Sequence, residues 1–164
     1  MLSQLFAEHH RRILAAACRI TGSMADAEDV AQAVFLRLAS TQGSPIANAG
    51  SYLYRAAING ALDLLRRQKS AATEPLESAA GEVFAGRDSS PEAEASSSEL
   101  GAWLRLAISE LAPRAAEMFT LRYLEDLGNR EIAALMGTSQ AVVAVTLHNA
   151  RSRLKKRLKE LERR

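Results

Sequence analysis

Hydrophobic positions in the first third of the chain recur every three or four residues, which is the spacing of one face of an α-helix. The first run extends from Leu2 to Thr21 and stops at Gly22, and a second run follows Ser23, a residue type that suits the N-cap position. A third run extends from about Ser51 to Lys69. The apolar positions are Leu5, Phe6, Ile13, Leu14, Ala17 and Ile20 in the first run, Val30, Val34 and Leu38 in the second, and Leu53, Ala57, Ala61, Leu64 and Leu65 in the third. We predict a bundle of three or four helices.

The last third of the chain shows two helical runs separated by a short break. A short run ends at Gly137, Ser139 offers a new N-cap, and a longer run begins at Ala141. This is the pattern of a helix-turn-helix, in which the second helix fits the major groove of DNA. An ordinary helical hairpin would show the same pattern. The positions that we expect to pack the longer helix are Val142, Val145, Leu147, Leu154 and Leu158.

Other features of the composition narrow the class of protein. Strand-like alternation does not recur, and only eight of the 164 residues are aromatic, so we predict an all-α fold. No apolar run approaches the roughly 18 residues of a membrane span, so we expect no membrane insertion and a cytoplasmic protein. The single cysteine, Cys18, excludes an internal disulfide. We find no catalytic constellation, metal cluster or cofactor motif, and we therefore expect neither an enzyme nor a cofactor.

Charge is unevenly distributed along the chain. Residues 1–69 have eight basic and five acidic side chains, residues 70–99 have one and seven, and residues 100–164 have twelve and seven. The middle stretch also contains little apolar surface to offset chain entropy. We therefore predict two small helical domains, at 1–69 and 100–164, joined by a flexible acidic linker at 70–99.

The third helical run combines side chains that suit nucleic acid. Arg55, Asn59 and Asp63 are spaced four residues apart, so they share one helical face. Aromatic, amide and guanidinium groups on one helix suit unpaired bases and phosphates. The other members of this set are Tyr52, Tyr54, Arg66 and Arg67. A solvated face with an ion pair between Asp63 and Arg67 would explain the same pattern equally well.

Three blocks of the chain, in order, resemble bacterial RNA polymerase sigma factors of the extracytoplasmic-function type, in the sigma-70 group. The first block resembles the polymerase-binding helix of that family, the second its promoter-melting helix, and the third its fourth domain. These blocks are Asp26 to Leu38, Tyr52 to Arg67, and the segments Leu111 to Phe119, Leu121 to Glu125 and Glu131 to Ala133.

The resemblance implies a role for each candidate residue. An acidic helical face would dock on the RNA polymerase core, with charge complementarity fixing its register. The second block would hold a base from the separated promoter strand, and the second helix of the helix-turn-helix would contact promoter DNA. The polymerase-binding candidates are Asp26, Glu28, Asp29 and Gln32. The DNA-binding candidates are Tyr52, Tyr54, Arg55, Asn59, Asp63, Arg66, Arg67, Ser139, Gln140, Thr146, Asn149, Arg151 and Arg153.

The resemblance also implies a function. The chain would direct polymerase core to specific promoters for transcription initiation, in response to a stress or envelope signal, and an anti-sigma factor would control it. Sigma factors perform no covalent chemistry. The alternative is a stand-alone helix-turn-helix regulator whose N-terminal domain senses a signal or dimerises.

Some positions depart from the family pattern. Ala33 stands where relatives carry a carboxylate, which would weaken docking on the polymerase. In the expected recognition helix, Ala144, Thr146 and Asn149 stand where relatives carry Lys or Arg. Base reading would then fall to Gln140, Thr146 and Asn149, because amide side chains are suited to adenine.

Overall fold

The computed structural model describes residues 1–41, 46–71 and 91–164, and for residues 91–97 it describes the backbone alone. Within these ranges every regular element is an α-helix, which confirms the predicted all-α fold. The helices are α1 (Leu2–Thr21), α2 (Met24–Ser40), α3 (Ala49–Ala71), α4 (Pro91–Ser109), α5 (Pro113–Tyr123), α6 (Asn129–Met136) and α7 (Gln140–Glu162).

The chain divides into two compact units, residues 1–105 and 106–164. The division lies inside α4, a few residues after the domain start that we expected at residue 100. The flexible linker that we predicted at 70–99 falls largely outside the described residues. At its end, residues 91–99 form the first half of α4. Pro91 is the first residue of α4, and the fixed backbone conformation of proline suits the first position of a helix.

In the first unit α1, α2 and α3 pack against one another as a three-helix bundle. α1 ends at Gly22, which adopts the left-handed conformation (φ 69°) that favours glycine. The N–H of Asp26 donates to Oγ of Ser23 at 3.3 Å, which confirms the predicted cap of α2. Phe6 is 46% exposed and its ring packs against His10 and Phe35, so it borders the core instead of filling it. The largest side chains of this core are Ile13, Leu53, Ile58 and Leu62.

In the second unit α5 and α6 both pack on α7. The side chains of α7 that face them follow a spacing of four, three and four: Val143, Leu147, Ala150 and Leu154. Our prediction was correct for the two leucines and wrong for Val142, Val145 and Leu158, which are exposed. α7 has apolar residues on more than one side, and the packing of α5 and α6 buries only the side through Val143. The other face therefore remains open to solvent.

Candidate functional sites

The exposed face of α2 presents an acid, an amide and a leucine at helical spacing. Asp29, Gln32 and Leu36 follow one another at intervals of three and four residues and are all exposed. Leu36 is 70% exposed, an unusual degree for a large apolar side chain in a bundle. Ala33 adjoins them, and Glu28 lies at the edge of this surface, which we call the α2 face.

Leu36 was absent from the predicted set, although its sequence position already contained the signal. It lies seven residues after Asp29 and four after Gln32, so the same helical repeat that groups those two also includes it. We had assigned the site by charge, and a charge criterion passes over an apolar side chain.

Asp26 is oriented differently from the other predicted polymerase-binding residues. Nε2 of Gln68 on α3 donates to Oδ2 of Asp26 at 3.1 Å, and the side chain is only partly exposed. The contact joins the start of α2 to the end of α3. Asp26 therefore has an internal structural partner, whereas Glu28, Asp29 and Gln32 are exposed.

The predicted face of α3 is assembled by the helical repeat. Tyr52, Arg55, Asn59 and Asp63 lie along one side of the helix and are partly or largely exposed. Arg66 continues the same side one turn later, and Arg67 is exposed beside it. We call this surface the α3 face. It brings an aromatic ring, an amide and guanidinium groups together, as the sequence indicated.

Tyr54 does not belong to the α3 face, which corrects its assignment as a DNA-binding residue. Its side chain is 2% exposed, and the guanidinium carbon of Arg12 lies 4.1 Å from the centre of its ring. The ring is covered by its own bundle and cannot stack on a base in this conformation. An aromatic residue two positions from Tyr52 points to a different side of the helix, so the two tyrosines cannot share one face.

Asp63 forms its ion pair with Arg66 and not with Arg67 as we had considered. Nη1 of Arg66 donates to Oδ1 of Asp63 at 2.8 Å, an interaction across one helical turn. The carboxylate therefore holds one guanidinium along the α3 face.

A tight turn joins α6 to α7. Gly137 adopts the left-handed conformation (φ 65°) and its N–H donates to the carbonyl of Ala133. The next N–H, that of Thr138, donates to the same carbonyl at 3.0 Å. Oγ of Ser139 then accepts from the N–H of Val142 at 3.2 Å, which confirms the predicted cap of α7. Three residues thus reverse the chain between two capped helices, which is the geometry of a helix-turn-helix.

The polar candidates on α7 occupy different surroundings. Gln140 and Asn149 are exposed, whereas Thr146 is half-buried beside the face that packs on α5 and α6. Nη1 of Arg151 donates to the hydroxyl of Tyr123 at 2.5 Å. Arg153 is exposed and lines a groove between α7 and the end of α4, together with Glu110 and Arg157.

Among the residues that the structure describes, no group of three or more His, Cys, Asp and Glu side chains is placed to hold a metal ion. No helix in the described ranges has the length and apolar character that crossing a membrane requires.

Comparison with known families assigns both units. A model of sigma-70 region 2 matches residues 5–71, and a model of sigma-70 region 4 matches residues 101–154. The RNA polymerase sigma factor CarQ of Myxococcus xanthus is 31% identical, and the match covers 96% of this chain and 89% of CarQ. The chain belongs to the sigma-70 family of RNA polymerase sigma factors, in its extracytoplasmic-function group. The region 2 match argues against a stand-alone helix-turn-helix regulator.

Two further relatives differ in how much of their own length is matched. The ECF RNA polymerase sigma factor SigE of Mycolicibacterium smegmatis is 31% identical over 93% of this chain, but the chain spans only 59% of that protein. The ECF RNA polymerase sigma factor SigW of Bacillus subtilis is 29% identical, with 87% of this chain and 81% of SigW covered.

Solved structures support the fold. The sigma factor RpoE from Bartonella quintana, crystallised in complex with the anti-sigma factor NepR, matches with a TM-score of 0.53 at 19% identity, over 96% of both chains. The extracytoplasmic-function sigma factor SigJ of Mycobacterium tuberculosis matches with a TM-score of 0.52 at 22% identity, over 94% of this chain and 53% of SigJ.

Proposed function

We propose that this chain is a promoter-specificity subunit of bacterial RNA polymerase. The observation that carries the proposal is the order of the two family matches, region 2 over residues 5–71 and region 4 over residues 101–154, each on its own helical unit. In this proposal the first unit binds the polymerase core and a separated DNA strand, and the second unit binds duplex DNA upstream, near the minus-thirty-five element.

The α2 face is the proposed polymerase-binding surface. Glu28, Asp29 and Gln32 supply an acidic and hydrogen-bonding edge that a basic surface of the core would complement, which speeds encounter and fixes register. Leu36 supplies an apolar anchor at the C-terminal end of this edge. A few residues dominate the energy of a typical interface, and the contacts that surround them exclude water. We therefore assign most of the affinity to Asp29, Gln32 and Leu36, and a supporting structural role to Asp26.

The α3 face is the proposed surface for the opened promoter strand. Tyr52 offers a ring on which a base can stack, and Asn59 offers an amide that can pair with the edge of an unstacked base. The guanidinium groups of Arg55, Arg66 and Arg67 suit the phosphates of the same strand. The chain performs no bond-breaking step in this scheme. It stabilises separated strands while the polymerase makes RNA, so it is not an enzyme by itself.

The helix-turn-helix is the proposed reader of duplex DNA. α7 has its base-reading candidates, Gln140, Thr146 and Asn149, in its first three turns, where recognition helices contact base edges. Its last turns are basic, with Lys155, Lys156 and Lys159 exposed, and these charges suit the phosphate backbone. Ser139 lies at the start of the same helix and fixes its first turn.

We also propose that a protein partner controls access to the α2 face. The relative RpoE was crystallised with an anti-sigma factor, and an exposed leucine flanked by polar groups is a surface that such a partner can cover. A protein with this role works in the cytoplasm, where polymerase and chromosome are found.

The test is transcription in vitro from a randomised promoter library with bacterial core polymerase. Core with the chain should initiate from a shared sequence class, and core alone should not. Co-elution of the chain with core on a sizing column checks the first step separately. A chain that binds DNA and regulates transcription without co-eluting with core would overturn the proposal.

A further inference from the structure

The first turns of α7 present an apolar surface that the fold itself does not cover. Val145 is 60% exposed and Val142 is 43% exposed, and the neighbouring Ala141 and Ala144 are also exposed. We call this set the α7 apolar surface. The opposite side of the same helix packs in the core through Val143, Leu147, Ala150 and Leu154. The four residues of the α7 apolar surface are therefore not part of the core of the second unit.

None of the residues that the structure describes buries this surface, and charge on the same helix indicates which occupant it suits. The apolar surface continues, along the exposed side of α7, into Asn149 and then into Lys155, Lys156 and Lys159. Residues 151–164 contain eight basic and two acidic side chains. A partner that lies along the whole helix therefore meets apolar side chains first and a strong positive charge later. DNA in the major groove offers this combination, because phosphates line the groove and thymine adds a methyl group to its floor.

Aliphatic side chains have no donor or acceptor, so they cannot read the hydrogen-bonding edges of bases. The apolar group that base pairs present in the major groove is the C5 methyl of thymine. Gln140 and Asn149, which border the α7 apolar surface, have amides that suit the N6 and N7 atoms of adenine. The two kinds of contact point to the same base pair.

We propose that the α7 apolar surface recognises thymine methyl groups, with Val145 and Val142 as specificity-determining residues, and that the element bound by α7 is therefore rich in A·T pairs. This inference rests on the proposed function. Specificity at these two positions comes from apolar contact, and the basic end of α7 supplies affinity that is independent of sequence.

The experiment uses holoenzyme assembled from the full chain and core polymerase, with promoters selected from the randomised library. Each thymine in the upstream element is replaced in turn by deoxyuridine, which removes the methyl group and leaves base pairing intact. We expect one or two positions at which the holoenzyme binds about fourfold more weakly, the effect of losing one buried methyl-sized apolar contact. Deoxyuridine outside the element should have no effect.

Variants of the chain connect those positions to the valines. With Val145→Ala, replacing thymine by deoxyuridine at the sensitive position should have little effect on binding. Val145→Thr keeps the shape of the side chain but replaces one methyl group by a hydroxyl, so it should also lose affinity for thymine. Val142→Ala should affect a neighbouring position. Leu161→Ala is the control, because Leu161 is 51% exposed but lies at the far end of α7. It should retain the full response to deoxyuridine.

The outcomes separate the two proposals. If the chain does not join core or select promoters, the proposed function fails and this inference fails with it. If promoters are selected but every deoxyuridine substitution is neutral, the sigma-factor function stands and thymine recognition is wrong. Unchanged promoter selection by Val145→Ala and Val142→Ala, together with lost binding to a protein inhibitor, would assign the surface to a protein partner and overturn the inference.

Discussion

Arg157 on α7 forms an ion pair with Glu110, which lies in the turn after α4. Both side chains are about one-third exposed, at 33% and 29%, so the pair is only partly shielded from water. It joins the last third of α7 to the segment that leads into α5. One cation of the basic end of α7 therefore stabilises the fold, and the proposed contact with DNA is assigned to its neighbours.

We predict that Arg157→Ala lowers the free energy of unfolding of the second unit by about 1 kcal/mol, the upper part of the range for exposed ion pairs. Lys156→Ala is the matched control, because that side chain is exposed on the neighbouring position. Hydrogen exchange of the α7 amides in the full chain measures the effect on this helix directly. Equal exchange in the two variants would show that the ion pair contributes nothing measurable.

The two tyrosines of α3 should give opposite results. Tyr54→Ala should destabilise the first unit by about 3–5 kcal/mol, because it removes a buried ring and leaves a cavity beside Arg12. Tyr52→Ala should leave the melting temperature nearly unchanged and should reduce strand opening. Circular dichroism measures the first effect and permanganate reactivity of promoter thymines the second. Loss of strand opening by a fully folded Tyr54→Ala protein would contradict the structural assignment.

The helix ends and caps could be predicted from the sequence, because residues next to them determine where each helix begins or ends. The C-terminal end of α1 and the N-terminal caps of α2 and α7 follow from Gly22, Ser23 and Ser139, because each acts on backbone groups within a few residues. The side on which Tyr54 lies is not a local property. It depends on which face of α3 meets α1, and both faces of that helix contain residues that tolerate burial.

The same limit explains the valines of α7. Val142, Val143 and Val145 offer two possible apolar stripes, and propensity does not distinguish them. The packing of α5 and α6 selects the stripe through Val143. Periodicity alone therefore predicted that α7 packs through Leu147 and Leu154, but it assigned the wrong valines to the core.

The α2 face gives a prediction about core binding. Asp29→Lys and Leu36→Ala should each weaken binding to core roughly tenfold, equivalent to ~1.4 kcal/mol, while the fold is retained because both positions are exposed. Leu161→Ala is the control for loss of an exposed leucine, since Leu161 is 51% exposed and lies at the end of α7, in the second unit. Titration of labelled chain with core measures the affinities. Affinities that match the Leu161→Ala control would remove the α2 face from the interface.

Asp26 should behave differently from Asp29 in the same assay. Its carboxylate holds Gln68, so Asp26→Ala should lower thermal stability more than Asp29→Ala does. Its effect on core affinity should be the smaller of the two. A large loss of affinity with unchanged stability would return Asp26 to the polymerase-binding set.

Asn59 tests the α3 face at the step of strand separation. If its amide pairs with an unstacked base, Asn59→Ala should impair open-complex formation by a factor of about 5–150, the effect of losing one specific base contact. Binding to the closed, double-stranded promoter should change little.

Arg67→Ala is the contrasting variant, because loss of a phosphate contact should weaken both complexes and should reduce the dependence of binding on salt. Permanganate footprinting measures opening, and filter binding at low temperature measures the closed complex. Equal opening by the wild type and Asn59→Ala would show that this side chain only faces solvent, and the assignment of the α3 face would then rest on Tyr52 alone.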